Sequence, residues 1–234
     1  MDEALETYRQ QAAERAVEFI ESGMVVGLGH GNTALFAVQR IAQLLSRGDL
    51  TDIAGVACSK SVEAEAERLG IPLTDLENHP AVDLTIDGAD EVDPDLNLIK
   101  GGGGALLREK IVAQASDREI IVVDEAKLSP ILGTRWPVPI EVLPFGWRPE
   151  LDFLSSLGAH ADLRLWDHDT PFESDQGNFI LDANFGPIDD PHALAALLDA
   201  RAAIVGHGLF LGLASDVVVA GAGGLRVLRA AGSD

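Results

Sequence analysis

The sequence predicts an α/β protein, an open parallel sheet with helices on both faces that carries a small α+β insert. Three observations predict it. Strand-like and helix-like apolar patterns alternate from Met24 to Val123, five prolines crowd into the twenty residues from Pro130 to Pro149, and an apolar run, Asp216–Ala220, returns after them.

The elements follow in order. Leu5, Tyr8, Ala12, Ala16 and Phe19 recur at spacings of three and four, which predicts a helix over about 3–20 that Gly23 ends. Met24–Leu28 reads as a buried strand, and after a glycine turn Thr33–Leu45 returns to helical spacing. The pattern repeats: Ile53–Cys58 is strand-like, Ser61–Leu69 helical, Val82–Ile86 strand-like, Ala105–Ala115 helical and Ile120–Val123 strand-like. Such alternation implies parallel strands joined by crossover helices. Prolines 130, 137, 139, 144 and 149 then break any continuous helix and place a boundary. Beyond it the order is strand (Pro139–Val142), helix (Glu150–Leu157), strands (Ala161–Leu165 and Asn178–Asn184), helix (Pro191–Ala200) and strand (Ala203–Phe210). The expected organisation is a Rossmann-like domain from 1–133 and 212–234 around a ferredoxin-like α+β domain at 134–211.

Charge narrows the partners. The 234 residues carry 38 Asp and Glu against 17 Lys and Arg, a formal net charge of −21 with only four lysines. Phosphate backbones are bound by neutralising cations, so nucleic acid is excluded as a partner, and anionic membrane surfaces are disfavoured for the same reason. Two readings account for the imbalance, a salt-rich cytoplasm or an ordinarily acidic mesophilic protein. The first is the expectation, because at ~1 M salt the Debye length falls to ~3 Å and self-repulsion is screened. Cys58 stands alone, which excludes a disulfide framework and a zinc-type pair and fits a reducing compartment. Acidic residues occupy the N-terminal stretch where a secretory signal needs basic ones, so a cytoplasmic protein is expected.

Three clusters fall where an open parallel sheet presents ligands, outside the carboxyl ends of its strands. In Gly27-Leu28-Gly29-His30-Gly31-Asn32-Thr33 the glycines let the backbone approach an anion, and the next helix start offers N–H groups to a phosphate. The same run also suits a tight strand-to-helix turn with no ligand. It is not the dinucleotide fingerprint, since Asn32 stands where that pattern has its third glycine, and no Walker G-K-[ST] occurs. The second cluster, Asp87-Gly88-Ala89-Asp90-Glu91-Val92-Asp93, puts four carboxylates at a strand end, for water, a cation or acid/base work. A calcium loop fails there, because Leu98 replaces the required glycine and Gly104 the bidentate Glu. In the third, Lys100-Gly101-Gly102-Gly103-Gly104 is clamped between Leu96–Ile99 and an apolar helix, with Glu109 either facing solvent or aimed back over the glycines.

These runs, with Val123-Asp124-Glu125-Ala126-Lys127 and Pro137-Val138-Pro139-Ile140-Glu141-Val142, resemble the type A ribose-5-phosphate isomerase family in order and spacing across nearly the whole chain. The resemblance implies interconversion of ribose 5-phosphate and ribulose 5-phosphate through a cis-enediolate, a reaction of the non-oxidative pentose phosphate pathway that needs no metal or other cofactor. It implies Glu109 as the base, Lys100 as the stabiliser of the enediolate charge, and Asp87 and Asp90 as holders of the sugar that assist ring opening. Substrate contacts are implied for Gly29, His30, Gly31, Asn32, Thr33, Gly88, Gly101, Gly102 and Gly103, with Lys127 near the site and Arg9 in the place of an N-terminal Lys. His30 and Asn32 stand where the family carries small hydroxyl residues, and Arg9 stands for a Lys, which predicts altered affinity with the reaction unchanged. The family's habit implies a homodimer or homotetramer. A catalytically inactive sugar-phosphate sensor, and an isomerase or deaminase for another sugar phosphate, are the alternatives that turnover separates.

Overall fold

The computed structural model describes residues 3–230. In chain order the elements are α1 (Glu3–Val17), β1 (Val25–Leu28), α2 (Asn32–Arg47), β2 (Ala54–Ala57), α3 (Lys60–Leu69), β3 (Leu73–Thr74), β4 (Leu84–Asp87), β5 (Glu91–Val92), β6 (Leu98–Ile99), α4 (Leu106–Gln114), β7 (Glu119–Asp124), β8 (Val138–Val142), α5 (Trp147–Ser156), β9 (His160–Leu163), β10 (Phe179–Asn184), α6 (Pro191–Asp199), β11 (Ile204–His207), β12 (Leu209–Phe210), β13 (Asp216–Gly221) and β14 (Gly224–Arg229). Contacts divide the chain into two compact units.

The first unit takes the chain up to Ala89, then Arg108–Lys127, and resumes at Gly212. Its sheet has the order β14-β13-β7-β4-β1-β2-β3, parallel except for the β13–β14 hairpin. All six residues of β7 and of β13 are buried, as strands covered on both faces must be, and their Val/Ile runs supply the β-branched surface that such strands need. The strand order reverses between β1 and β4, so their carboxyl ends open the crevice where doubly wound sheets take ligands. A core built on Val17, Val26, Leu28, Ile41, Leu84, Ile86 and Ile120 holds the sheet against α1 and α2.

The second unit comprises Asp90–Leu107 and Leu128–Leu211. Its antiparallel sheet β11-β8-β10-β9 carries α5 and α6 in β-α-β-β-α-β sequence, the ferredoxin-like arrangement, over a core of Val138, Ile140, Val142, Leu154, Leu181 and Leu198. A three-stranded sheet, β12-β6-β5, completes it.

The units differ from the sequence-based limits at 90–107 and 128–133, which lie with the insert. Two-residue strands β5 and β6 pair with each other, β6 also pairs with β12, and their periodicity is too short to read. The expected strand Ala203–Phe210 is two strands broken at Gly208, and the edge strand β14 was not expected. Among the described residues no helix is long and apolar enough to cross a membrane.

Candidate active site

In the first unit, Gly29 follows β1 and donates its backbone N–H to the Ile86 carbonyl at 3.0 Å. A Cβ at Gly29 would run into that carbonyl and into Asp87, so the ends of β1 and β4 approach this closely only because no side chain stands between them. Asp87 is fully buried, and its Oδ1 accepts the N–H groups of His30 at 2.9 Å and Gly88 at 2.7 Å. Both bonds stabilise the carboxylate and tie the β4 end to the turn before α2. The His30 Nδ1 lies 2.9 Å from Ser59 Oγ, which also accepts the Val62 N–H and so caps α3.

Helix α2 starts at Asn32 after Gly31, whose φ of 104° is left-handed. Gly31 at the N-cap has no side chain to bond the first N–H groups, which a helix start leaves without intrahelical partners, and Asn32 beside it is exposed. Arg9 from α1 reaches the end of β7 and pairs with Asp124, Nε to Oδ2, at 3.2 Å. Arg9 and Asn32 also share the wall of a cavity of ≈ 290 Å³ with Leu5 and Phe36. Lys127 ends the short 3₁₀ turn that follows β7. Glu109 occupies the first turn of α4 and is 4% exposed, which excludes an ordinary solvent-facing helical Glu.

In the second unit, Lys100 follows β6 and is 1% exposed, its Nζ 5.4 Å from the Phe210 ring centroid. Its backbone is held by Gly208, which accepts the Lys100 N–H at 2.9 Å and lies so near the Lys100 carbonyl that a Cβ there would overlap it. Asp90 Oδ2 accepts the Gly102 N–H at 2.8 Å, while Gly102 and Gly103 are exposed. Gly101 and Gly104 have φ of 101° and 85°, which explains why the run is glycine at both turns.

The acidic cluster thus separates by role. Asp87 and Asp90 organise the turns that precede α2 and α4, whereas Glu91 is wholly buried and accepts the N–H groups of Gly133 at 3.0 Å and of Arg135 and Trp136 at 3.2 Å. Asp93 accepts from Asp95 and Asn97 within its own loop. Among the described residues no group of three or more His, Cys, Asp or Glu is placed to hold a metal ion. Asp124, Ser59 and Phe210, which touch Arg9, His30 and Lys100, were not singled out from the sequence. Asp124 lay inside a quoted run, while Phe210, more than a hundred residues from Lys100, left no local signal.

A glycine turn and a buried carboxylate at the reversal point of a doubly wound sheet define the open α/β proteins that take small ligands at their strand ends. Comparison makes the assignment particular. A family model described as ribose 5-phosphate isomerase A (phosphoriboisomerase A) matches residues 54–224. The ribose-5-phosphate isomerase A of Chloroflexus aurantiacus is 58% identical over 94% of this chain and 92% of its own, and that of Desulfatibacillum aliphaticivorans 56% identical over 95% and 97%. A solved D-ribose-5-phosphate isomerase in complex with phospho-erythronic acid superposes with a TM-score of 0.94 at 39% identity, covering 98% of this chain and all of that one. The chain belongs to the ribose-5-phosphate isomerase A family.

Proposed function

We propose that this chain interconverts D-ribose 5-phosphate and D-ribulose 5-phosphate through a cis-enediolate, as the isomerase of the non-oxidative pentose phosphate pathway, and that Glu109 moves the proton between C1 and C2. The observation that carries the reading is the burial of Lys100 and Glu109, 1% and 4% exposed, on either side of the glycine run in a chain of this family. Burying ionisable groups costs stability, and a site that must transfer a proton and hold an enediolate gives that cost a use.

Glu109 takes the C2 proton of the open aldose and returns it to C1. Lys100 faces the negative charge that develops on the enediolate oxygens, and Asp87 and Asp90 bind the sugar hydroxyls and assist ring opening. The uncapped start of α2, with Gly29, His30, Gly31, Asn32 and Thr33, receives the phosphate, aided by Arg9 and Lys127, and Gly88 and Gly101 to Gly103 complete the sugar contacts. The relative's phospho-erythronic acid supports this reading, because its planar anionic carboxylate resembles the enediolate.

Purified protein mixed with ribose 5-phosphate is expected to yield ribulose 5-phosphate at a rate unchanged by exhaustive EDTA treatment. Absence of turnover overturns the assignment, and loss in EDTA restored by a divalent ion overturns the metal-free mechanism.

The −21 charge supports a salt-rich cytoplasm as the working environment. Raising salt from dilute buffer to molar concentration is expected to raise the melting temperature, and a flat or falling curve removes the salt-adapted reading. A homodimer or homotetramer is the assembly we propose, supported by Phe145, which is wholly exposed in the insert, and sedimentation at molar salt gives the subunit count.

A further inference from the structure

We propose that Arg164 is a positioning residue for the isomerisation, setting the glycine loop after Lys100 through the carbonyls of Gly101 and Gly102. The proposal rests on the substrate-facing role assigned above to that loop. Every contact it uses lies within the second unit.

Arg164 directly follows β9, its backbone N–H donating to the Ile180 carbonyl at 2.8 Å. The guanidinium is bidentate on Asp182 of β10, with Nε donating to Oδ2 at 2.8 Å and Nη2 to Oδ1 at 2.5 Å. Its remaining Nη1 donates to the Gly101 carbonyl at 2.9 Å and to the Gly102 carbonyl at 3.2 Å. The pair is mostly buried, with side chains 14% and 28% exposed. From the other side of the loop, Asp90 takes the Gly102 N–H, and the Phe172 ring fills the space where a Cβ on Gly104 would lie. Phe172 in turn donates its N–H to the Arg164 carbonyl at 2.9 Å.

Four consecutive glycines lose more conformational freedom on ordering than any other run, so their geometry must be imposed from outside. Arg164 and Asp90 impose it from opposite sides, one on two carbonyls and one on the intervening N–H. Only a planar fork serves a carboxylate and two carbonyls at once. A lysine ammonium is a point donor that reaches one set or the other. A loop loosened by about 1 Å beside the reacting carbons costs on the order of 10²-fold in rate.

The test compares the parent with Arg164→Ala and Arg164→Lys. Both variants are expected to remain folded at the assay temperature while melting below the parent, because Asp182 loses its bidentate partner. They are expected to lose about 10- to 100-fold in kcat with a smaller rise in KM, and to exchange the Gly102–Gly104 amides with solvent faster. Added guanidinium ion is expected to restore part of the Arg164→Ala rate, while sodium chloride at equal concentration is not. If either variant, folded, keeps kcat and KM within twofold of the parent, the proposal is overturned. It is equally overturned if the rate loss only follows the unfolded fraction or if guanidinium restores nothing. A parent without turnover on ribose 5-phosphate is a different result, and it strikes the functional reading instead.

Discussion

Glu109→Gln is expected to bind substrate and isomerise it about 10²- to 10⁴-fold more slowly. The amide nearly preserves size and can hydrogen-bond the sugar, yet at neutral pH it does not accept a proton from carbon. Because Glu109 is buried in the first turn of α4, an isosteric change is the right probe, since a smaller residue would add a cavity to the lost carboxylate. Ribose 5-phosphate should bind within a few-fold of the parent affinity, and exchange of the substrate's carbon-bound proton with deuterated solvent should fall in step with kcat. Near-normal turnover would move the base to Asp87 or Asp90. Glu91 is not available, because its carboxylate already accepts three backbone N–H groups.

Gly29→Ala is expected to destabilise the protein by about 2–3 kcal/mol, the upper part of the range for overpacking a well-filled site. Its Cβ meets the Ile86 carbonyl and the backbone of Asp87, and those atoms are locked between β1 and β7 by the ladder on both sides. Nothing flexible can give way. For a chain of this length the melting temperature should fall by roughly 4–12 °C. Gly223→Ala, whose added methyl meets nothing within 4 Å, is the control and should melt like the parent. The same intrusion displaces Asp87 Oδ1 from its two donors, so turnover should drop as well. A Gly29→Ala protein as stable as Gly223→Ala would mean that the β1 and β4 ends can separate without cost.

What was legible in the sequence was whatever a continuous element writes into it. The parallel sheet could be read from β1, β2, β4 and β7 because short runs rich in apolar residues recur between helical segments, and the insert's order followed from helix and strand periods between prolines. The short strands β5 and β6 could not be read, since two residues carry no period, and with them went the membership of 90–107 in the second unit. The edge strand β14 had a usable signal, the two-residue turn Ala222-Gly223 between paired Gly221 and Gly224, which marks a hairpin. The carboxylates of 87–93 were visible as a group, but not their division. Whether Glu91 acts on a substrate or holds Gly133, Arg135 and Trp136 depends on chain some forty residues away. Arg164 was hidden for the same reason, being one polar residue on a strand edge until Gly101 and Gly102 fold back to it.

The backbone clasp between Lys100 and Gly208 dates the enzyme's completion during its own synthesis. Lys100 has left the peptidyl-transferase centre roughly a hundred residues before Gly208, which accepts its N–H, exists, and at about 5–20 residues per second that gap lasts on the order of ten seconds. Throughout that interval the nascent chain already contains Asp87, Asp90, Lys100 and Glu109, with the Lys100 backbone still unclasped.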